Sequence, residues 1–152
     1  PWVQKYMQDH CALLGGEQSS HICFSDRWFG YDDGLYAAAR LLSLAADLDE
    51  RDEALPSYPA TPELRLPISE ARKWKVLPQL RDRFSDFAIS ELDGLRCSNE
   101  DGWLLVRPSN TEACLSVRIE GRSRRGLKLL AAKVANGLSQ AGVPADHLSP
   151  YL

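Results

Sequence analysis

The sequence predicts an α/β segment over residues 1–60 followed by an α+β domain over residues 61–152. Residues 1–60 hold 4 Lys/Arg against 10 Asp/Glu and residues 61–152 hold 14 against 11, giving net charges of −6 and +3. The stretch from Asp49 to Pro67 holds four prolines, which is typical of a linker that leads into a strand. Helical and strand patterns alternate in the first part and group into a sheet with flanking helices in the second. We place the boundary near Ala60.

The first part predicts two helices separated by a loop and a strand. Apolar residues recur at helical spacing at its start: Val3, Tyr6, Met7 and His10. A loop at Gly15-Gly16 then precedes a short buried strand over Ile22–Phe24. The Asp32-Asp33-Gly34 sequence supplies an N-cap and negative charge for a helix over Leu35–Leu48. Its apolar and small positions form one stripe that we expect to be buried: Leu35, Ala38, Leu41, Leu42, Ala45 and Ala46.

The second part begins with a strand and a helix. Leu64–Leu66 predicts the strand, and Ser69 is a suitable cap for the helix that follows. The apolar side of this helix is expected to carry Trp74, Leu77, Leu80 and Phe84. Pro78 lacks an amide hydrogen and clashes with the preceding turn, so we expect a kink or a restart there.

A strand-rich region and a last helix complete the second part. Asp93-Gly94 is a strong signal for a hairpin turn. Strands are predicted over Phe87–Glu91, Leu95–Ser98, Trp103–Arg107 and Cys114–Glu120. The final helix has apolar positions at Leu127, Leu130, Val134 and Leu138, and Gly142 is suited to end it. Helices on one face of such a sheet leave the loops at its ends for binding.

Composition disfavours two classes of protein. The net charge of −3 provides no overall basic field for nucleic acid, and no recognition motif for it is present. The longest apolar stretch, Leu35–Leu48, contains Arg40 and Ser43 and falls short of the roughly 20 residues that span a bilayer. The first residues show neither a signal-peptide pattern nor an initiating Met. We therefore expect a cytoplasmic protein without membrane or nucleic-acid partners, and a chain that is part of a longer one.

The four cysteines predict neither a disulfide framework nor a metal site. They lie at wide, irregular spacings in a chain long enough to build its own core, so we expect them to be reduced. A zinc site would have to combine His10, Cys11, His21 and Cys23. These pairs lack the usual zinc-ligand separations, which favours ordinary packing and no metal.

The first candidate site is the loop that carries Glu17, Ser19 and His21. These residues alternate, so their side chains point the same way if the segment is extended. A carboxylate that accepts two hydroxyl hydrogens, beside a hydroxyl and an imidazole, is suited to vicinal sugar hydroxyls. The same residue types are common in an ordinary polar turn, which composition alone favours.

The second candidate site lies between two predicted strands. Arg107 offers a fork suited to phosphate oxygens, and a tight loop can turn backbone amides inward to bind an anion. Ser109, Asn110 and Thr111 add neutral donors, and Arg118 follows on the next strand. The alternative is a polar hairpin loop whose side chains satisfy their own backbone, with Arg118 in a salt bridge.

Four blocks of the sequence together resemble the α-D-phosphohexomutase superfamily. They are GGEQSSH at residues 15–21, RWFGYDDGLYAAAR at residues 27–40, TPELR at residues 61–65 and RPSNTE at residues 107–112. Within the superfamily they are most similar to bacterial phosphomannomutase/phosphoglucomutase, and next to phosphoglucosamine mutase. The blocks occur in the family's order and extend over essentially the whole chain. Gln18 and Ser20 depart from the usual Met and Gly, and Ser20 is less suited than Gly to a positive φ.

The resemblance implies the end of the family's third domain over residues 1–60 and its fourth domain over residues 61–152. The fourth domain is a TATA-binding-protein-like α+β unit, with a four-stranded antiparallel sheet and two helices. Glu17 and Ser19 would bind the O3 and O4 hydroxyls of the sugar, with His21 near the reacting centre as a supporting catalytic group. The phosphate that is not transferred would be bound by Arg107, Ser109, Asn110 and Thr111, supported by Arg118.

The family interconverts hexose 1-phosphate and hexose 6-phosphate through a 1,6-bisphosphate intermediate. Its phosphorylated serine and magnesium loops belong to earlier domains, and neither motif occurs in this sequence. Asp47, Asp49 and Asp52 lack the glycines of the magnesium loop and are typical of a solvated helix end. We therefore expect a substrate-recognition part that is inactive without the remaining domains. A stand-alone phosphosugar-binding or anion-binding module is the alternative, as is a phosphoglucosamine mutase fragment.

Overall fold

The structure is a computed structural model that describes residues 2–17, 19–44 and 55–152. The chain divides into two compact units, Pro1–Pro56 and Ser57–Leu152. The first unit contains α1 (Trp2–His10), β1 (Leu14–Gly16), β2 (Ile22–Phe24) and α2 (Gly34–Leu42).

The two strands of the first unit form an antiparallel pair in which Leu14 lies opposite Phe24. The prediction of a loop at Gly15-Gly16 is therefore wrong, because both glycines belong to β1. Helix α1 packs directly on this strand through Met7, which is buried. A Cβ atom on Gly15 would lie 2.5 Å from the Met7 sulfur, so the glycine is needed for close packing rather than for a turn.

Helix α2 begins as the sequence predicts and does not bury its apolar stripe. The side chain of Asp33 caps it by accepting hydrogen bonds from the amides of Leu35 and Tyr36, at 3.1 and 3.0 Å. Leu35 is 87% exposed and Leu42 74% exposed, so the expectation of a buried stripe is wrong for this part. Strands β1 and β2 have three residues each and offer too little surface to cover the apolar stripe of α2. The predicted continuation to Leu48, like Asp47, Asp49 and Asp52, lies outside the described residues.

The second unit is an α+β fold. Its strands are β3 (Leu64–Pro67), β4 (Ala88–Ser90), β5 (Leu95–Asn99), β6 (Gly102–Pro108) and β7 (Cys114–Gly121). Its helices are α3 (Glu70–Arg83), α4 (Arg124–Gln140) and a final 3-10 helix, Asp146–Tyr151. The strands form one antiparallel sheet in the order β3-β7-β6-β5-β4. The α+β class is confirmed, but the sheet has five strands rather than four, because β3 pairs with β7 and extends the sheet.

One face of this sheet packs against α3 and α4. Every second residue of β6 and β7 points into this core, as a half-covered antiparallel sheet requires. Fully buried side chains of the core include Leu66, Leu80, Phe84, Leu104, Val117, Ile119, Val134 and Leu138. The opposite face is more exposed and carries Trp103, Arg107, Ser116 and Arg118.

Two details of α3 differ from the sequence expectation. The helix continues through Pro78 without a restart. Pro78 has no amide hydrogen to donate to the carbonyl of Trp74, four residues earlier. Both residues are exposed, so water can bind to that carbonyl instead. Trp74 was expected on the buried side and is instead 56% exposed, whereas Lys73 is only 3% exposed. The buried positions are Lys73, Val76 and Leu80.

Helix α4 ends as the sequence predicts. The hydroxyl of Ser123 accepts a hydrogen bond from the amide of Gly126 at its start. Gly142 follows its end with a φ of 70°, in the left-handed region that glycine favours. Within residues 2–17, 19–44 and 55–152, no helix combines the length and the apolar character that crossing a membrane requires.

Candidate functional site

The first unit brings Glu17, Ser19 and His21 together. The hydroxyl of Ser19 donates to Oε2 of Glu17 at 3.1 Å and lies 3.2 Å from Nδ1 of His21. Oδ2 of Asp32 lies 3.9 Å from the other ring nitrogen of His21. The side chain of His21 is 60% exposed and that of Glu17 41% exposed. A carboxylate, a hydroxyl and an imidazole therefore share one solvent-accessible cluster.

A tight turn between β1 and β2 holds this cluster, rather than an extended segment. The amide of Glu17 donates to the carbonyl of His21, and the amide of Ser20 donates to the carbonyl of Glu17, both at 3.0 Å. Ser20 has a φ of 67°, which closes the turn in a conformation that glycine adopts more easily. The predicted side-chain grouping is thus present, although backbone curvature produces it instead of strand alternation.

The second unit contains a cavity of about 200 Å³ where β6 ends and β7 begins. Its lining includes Arg107, Ser109, Asn110 and Thr111, so four of the five residues proposed for phosphate lie around one space. The remaining lining residues are Glu63, Arg65, Cys114 and Ser116. The loop between the strands is closed by a hydrogen bond from the amide of Ser109 to the carbonyl of Cys114, at 3.0 Å.

The loop satisfies part of its own backbone. The hydroxyl of Ser109 accepts from the amides of Thr111 and Glu112, at 3.3 and 3.1 Å. This is the self-capping that the polar-hairpin alternative predicts. The amide of Asn110 differs, because it makes no hydrogen bond within the part of the chain that the structure describes.

Two guanidinium groups border the cavity, and each is paired with an exposed carboxylate. Nη1 of Arg107 lies 3.0 Å from Oδ2 of Asp93, and these side chains are 43% and 46% exposed. Nη1 of Arg65 lies 2.8 Å from both carboxylate oxygens of Glu112. The hydrogen bond to Glu112 raises the pKa of Arg65 above its ordinary value. Exposed pairs of this kind are weak and exchange readily with another anion.

Arg65 is a cavity residue that the sequence reasoning did not assign to the site. The pairing of β3 with β7 sets Arg65 opposite Ser116, and both residues line the cavity. A signal was present, since Arg65 ends the TPELR block. Its use required knowing that β3 joins the sheet beside β7.

Lys73 is a second residue that the sequence reasoning missed. Its side chain is 3% exposed, and Nζ donates to the carbonyls of Ser109 and Glu112 at 2.6 and 3.1 Å. Nζ also donates to Oε1 of Glu70 at 2.9 Å. A lysine in a charged helix segment is ordinarily solvated, so no sequence signal indicated this contact.

Arg118 does not line the cavity. It lies on β7 opposite Leu105, on the same sheet face as Ser116. Its Nε is buried and has no hydrogen-bond partner among the described residues. No group of three or more His, Cys, Asp and Glu in residues 2–17, 19–44 and 55–152 is arranged to hold a metal ion.

Comparison with known families identifies both parts of the chain. Residues 1–58 match the family model described as phosphoglucomutase/phosphomannomutase, alpha/beta/alpha domain III. Residues 63–137 match the one described as phosphoglucomutase/phosphomannomutase, C-terminal domain. The chain belongs to the phosphoglucomutase/phosphomannomutase family. The resemblance seen in the four sequence blocks is thereby confirmed.

Curated relatives of this family align with most of the chain. A phosphomannomutase/phosphoglucomutase of Pseudomonas aeruginosa is 39% identical over 143 residues, which cover 90% of this chain and 31% of the relative. A phosphoglucomutase of Neisseria gonorrhoeae is 36% identical over 134 residues, covering 84% of this chain and 29% of the relative. The chain thus spans about a third of the length of these relatives.

A solved structure of the family shares the fold. The crystal structure of a phosphoglucomutase/phosphomannomutase family protein from Burkholderia thailandensis matches with a TM-score of 0.80 and 34% identity. The match covers 93% of this chain and 32% of that protein. This likeness supports the predicted order of an α/β part followed by an α+β domain.

Proposed function

We propose that this chain is the substrate-recognition part of a phosphomannomutase/phosphoglucomutase, which interconverts hexose 1-phosphate and hexose 6-phosphate. The observation that carries the proposal is the cavity at the end of β6, where Arg65 and Arg107 flank the loop of Ser109, Asn110 and Thr111. Two guanidinium groups and a loop amide that makes no hydrogen bond to any described residue fit a phosphate group. The names of the relatives given above agree with this chemistry.

The cavity holds the phosphate that is not transferred. Arg107 presents a planar fork of donors to the phosphate oxygens. The loop hydroxyls and the Asn110 amide add neutral hydrogen-bond donors. Asp93 and Glu112 pair with the two guanidinium groups, so phosphate binding exchanges each weak exposed pair for a charge-assisted contact. Arg118 supports this sheet face from β7 without lining the cavity.

The loop of the first unit that carries Glu17, Ser19 and His21 binds the sugar. The Glu17 carboxylate accepts hydrogen bonds from the sugar's O3 and O4 hydroxyls, and the Ser19 hydroxyl donates or accepts as the orientation requires. His21 lies near the reacting centre as a supporting group. A bisphosphate intermediate that turns around needs contacts that accept both orientations, which hydroxyls near its pseudo-symmetry axis provide. Such positioning contributes much of the catalysis in phosphoryl transfer.

The phosphoryl donor and the metal come from other domains of the enzyme. Members of this family use Mg²⁺, and no residues within the described ranges form a site that fits it. The phosphorylated serine is likewise assigned to the earlier domains. We therefore assign residues 1–60 and 61–152 to recognition by domains three and four, and expect no turnover from this chain by itself.

The test is calorimetric titration of the chain with mannose 1-phosphate and glucose 1,6-bisphosphate, beside a mutase assay with Mg²⁺. We expect binding without turnover, and binding that is lost in Arg107→Ala while circular dichroism is unchanged. Arg81→Ala is the matched control, because Arg81 forms a similar exposed pair with Glu91 outside the cavity. Unchanged binding by Arg107→Ala removes this residue from the site, and turnover by the chain contradicts the division of roles.

A phosphoglucosamine mutase is the second candidate. A protein named probable phosphoglucosamine mutase from Methanosarcina barkeri is 32% identical over 124 residues, covering 80% of this chain and 28% of that protein. Glucosamine 1-phosphate belongs in the same titration, and tighter binding of it than of both hexose phosphates would favour this candidate.

A further inference from the structure

Lys73 makes an unusual set of contacts for a lysine on a sheet-covering helix. Its ammonium group has three N–H donors, and three acceptor groups lie within reach: the Glu70 carboxylate and the carbonyls of Ser109 and Glu112. The two carbonyls flank the centre of the phosphate-binding loop. Lys73 therefore ties α3 to both ends of the segment that contains Asn110 and Thr111.

The planarity of the peptide bond gives this contact a directional consequence. In a trans peptide the C=O and N–H bonds point in opposite directions. The Ser109 carbonyl, which points at Lys73 from 2.6 Å, shares its peptide with the amide of Asn110. That amide consequently points away from Lys73. Asn110 lines the cavity, whereas Lys73 does not.

We propose that Lys73 is a positioning residue, which holds the Ser109 peptide in the orientation that presents the Asn110 amide to phosphate. This inference rests on the proposed phosphate site. Without the ammonium group, the two carbonyls lose a charged donor in a region from which water is largely excluded. The Ser109 peptide then rotates to find another partner, and the Asn110 amide no longer faces the cavity.

The ion pair with Glu70 allows the ammonium group to be buried. The carboxylate of Glu70 is 65% exposed, so it neutralises Lys73 while remaining hydrated itself. The two loop carbonyls complete the coordination. The residue therefore acts through the backbone of the loop and does not touch the ligand.

The experiment compares Lys73→Met with the unaltered chain by titration with inorganic phosphate and glucose 1-phosphate. The same titrations are followed by the ¹⁵N–¹H signals of the backbone amides. We expect affinity to fall about tenfold, because one hydrogen bond to a charged ligand is lost. We also expect the Asn110 signal to shift with phosphate in the unaltered chain and to lose most of that shift in Lys73→Met. Lys73→Arg keeps the charge and the donors, and should restore part of the Asn110 response.

Arg72→Met is the matched control. Arg72 lies on the same helix and also donates to backbone carbonyls, those of Ala141 and Gly142, which lie outside the cavity. A general loss of helix stability lowers phosphate affinity equally in both variants. We expect the Asn110 response to persist in Arg72→Met, and equal losses in the two variants would overturn the positioning role.

The remaining outcomes separate the inference from the function on which it rests. If the unaltered chain binds neither probe, the proposed function of this chain fails and the inference fails with it. If the unaltered chain binds and Lys73→Met binds equally well, only the inference fails. If Lys73→Met does not fold, the ¹⁵N signal of the Lys73 ammonium group is followed in the unaltered chain. If the Lys73 ammonium signal shifts when phosphate binds, the proposal is supported. If neither this signal nor the Asn110 amide signal shifts, the proposal is overturned.

Discussion

Nη1 of Arg65 lies 2.8 Å from each carboxylate oxygen of Glu112, which joins strand β3 to the loop between β6 and β7. Arg65 lines the cavity, and the amide of Glu112 is capped by Ser109 within the same loop. At the proposed phosphate site the carboxylate therefore competes with an incoming phosphate for the same guanidinium group. Binding of phosphate must be sensitive to the charge at position 112.

Glu112→Gln is expected to strengthen binding of inorganic phosphate by about two- to fivefold at low salt, as for an exposed ion pair. The substitution removes a like charge and releases Arg65, while the backbone carbonyl that Lys73 contacts is kept. Calorimetric titration at two ionic strengths measures the change, and the gain should shrink at high salt.

Arg65→Met tests the other member of this ion pair. It removes the cation and leaves Glu112 without its partner, so phosphate affinity should fall below that of the unaltered chain. Equal affinities in Arg65→Met and the unaltered chain would show that Arg65 pairs only with Glu112 and does not bind phosphate.

The sequence predicts features that depend on neighbouring residues better than those that depend on distant ones. The Asp33 cap, the antiparallel strands around Asp93-Gly94 and the helix end at Gly142 were all predicted, because each is a backbone requirement met within a few residues. The edge position of β3 depends on pairing with β7, about 50 residues later, for which the local pattern carries no register. Arg65 was missed for this reason.

The buried lysine shows the same limit at the level of one side chain. The loop acceptors of Lys73 lie 36 and 39 residues away in the sequence, so its burial could not be inferred from α3 alone. Helical periodicity assigned the buried side to Trp74 instead. The predicted positions Leu80 and Phe84 are buried, and only Trp74 is replaced on the buried side by its neighbour Lys73, because the loop supplies acceptors that this helix alone does not reveal.

Ser20→Gly is expected to stabilise the first unit by about 0.5 kcal/mol. Ser20 has a φ of 67°, and relief of its left-handed strain exceeds the entropy that glycine adds to the unfolded chain. Urea unfolding followed by circular dichroism measures the difference. Ser43→Gly is the matched control, since Ser43 has a φ of −67° and should lose stability. A destabilised Ser20→Gly would mean that the side chain stabilises the turn.

The cysteines are expected to differ in reactivity. Burial raises the pKa of the Cys97 thiol from 9.0 to about 11, which lowers its thiolate fraction about 100-fold. Cys11 is exposed and should account for the fast phase of labelling by a disulfide reagent at pH 8. Cys11→Ser should remove that phase and Cys97→Ser should leave it unchanged. Rapid labelling of Cys97 in the folded chain would contradict its burial.

Gly102→Ala tests the close approach of β6 and β7. A Cβ atom at this position would lie 2.1 Å from the carbonyl oxygen of Glu120, and the φ of 145° disfavours any side chain. We expect a loss of about 3 kcal/mol in unfolding free energy, from overpacking together with backbone strain. Gly34→Ala is the control, because nothing lies within 4 Å of the added atom. A similar stability for the two variants would refute this account of the β6–β7 contact.

The ion pair between Asp86 and Lys133 predicts a defined pH dependence. Nζ of Lys133 lies 2.8 Å from both carboxylate oxygens, and this hydrogen bonding lowers the pKa of Asp86 below its ordinary value of 3.8. The unfolded carboxyl group binds a proton more readily than the folded one. The stabilisation is therefore present above pH 3.8 and is lost as the pH falls through the lower, folded pKa.

Asp86→Asn should accordingly be less stable than the unaltered chain near neutral pH and approach it in acid. Urea unfolding at a series of pH values measures this convergence, and NMR titration of the Asp86 carboxyl carbon measures its pKa directly. In Lys133→Met the pKa of Asp86 should rise toward the ordinary value, because the hydrogen bond from the Lys133 ammonium group is the main cause of its lowering. A stability difference that stays constant down to the most acidic conditions would show that Asp86 contributes through packing rather than through its charge.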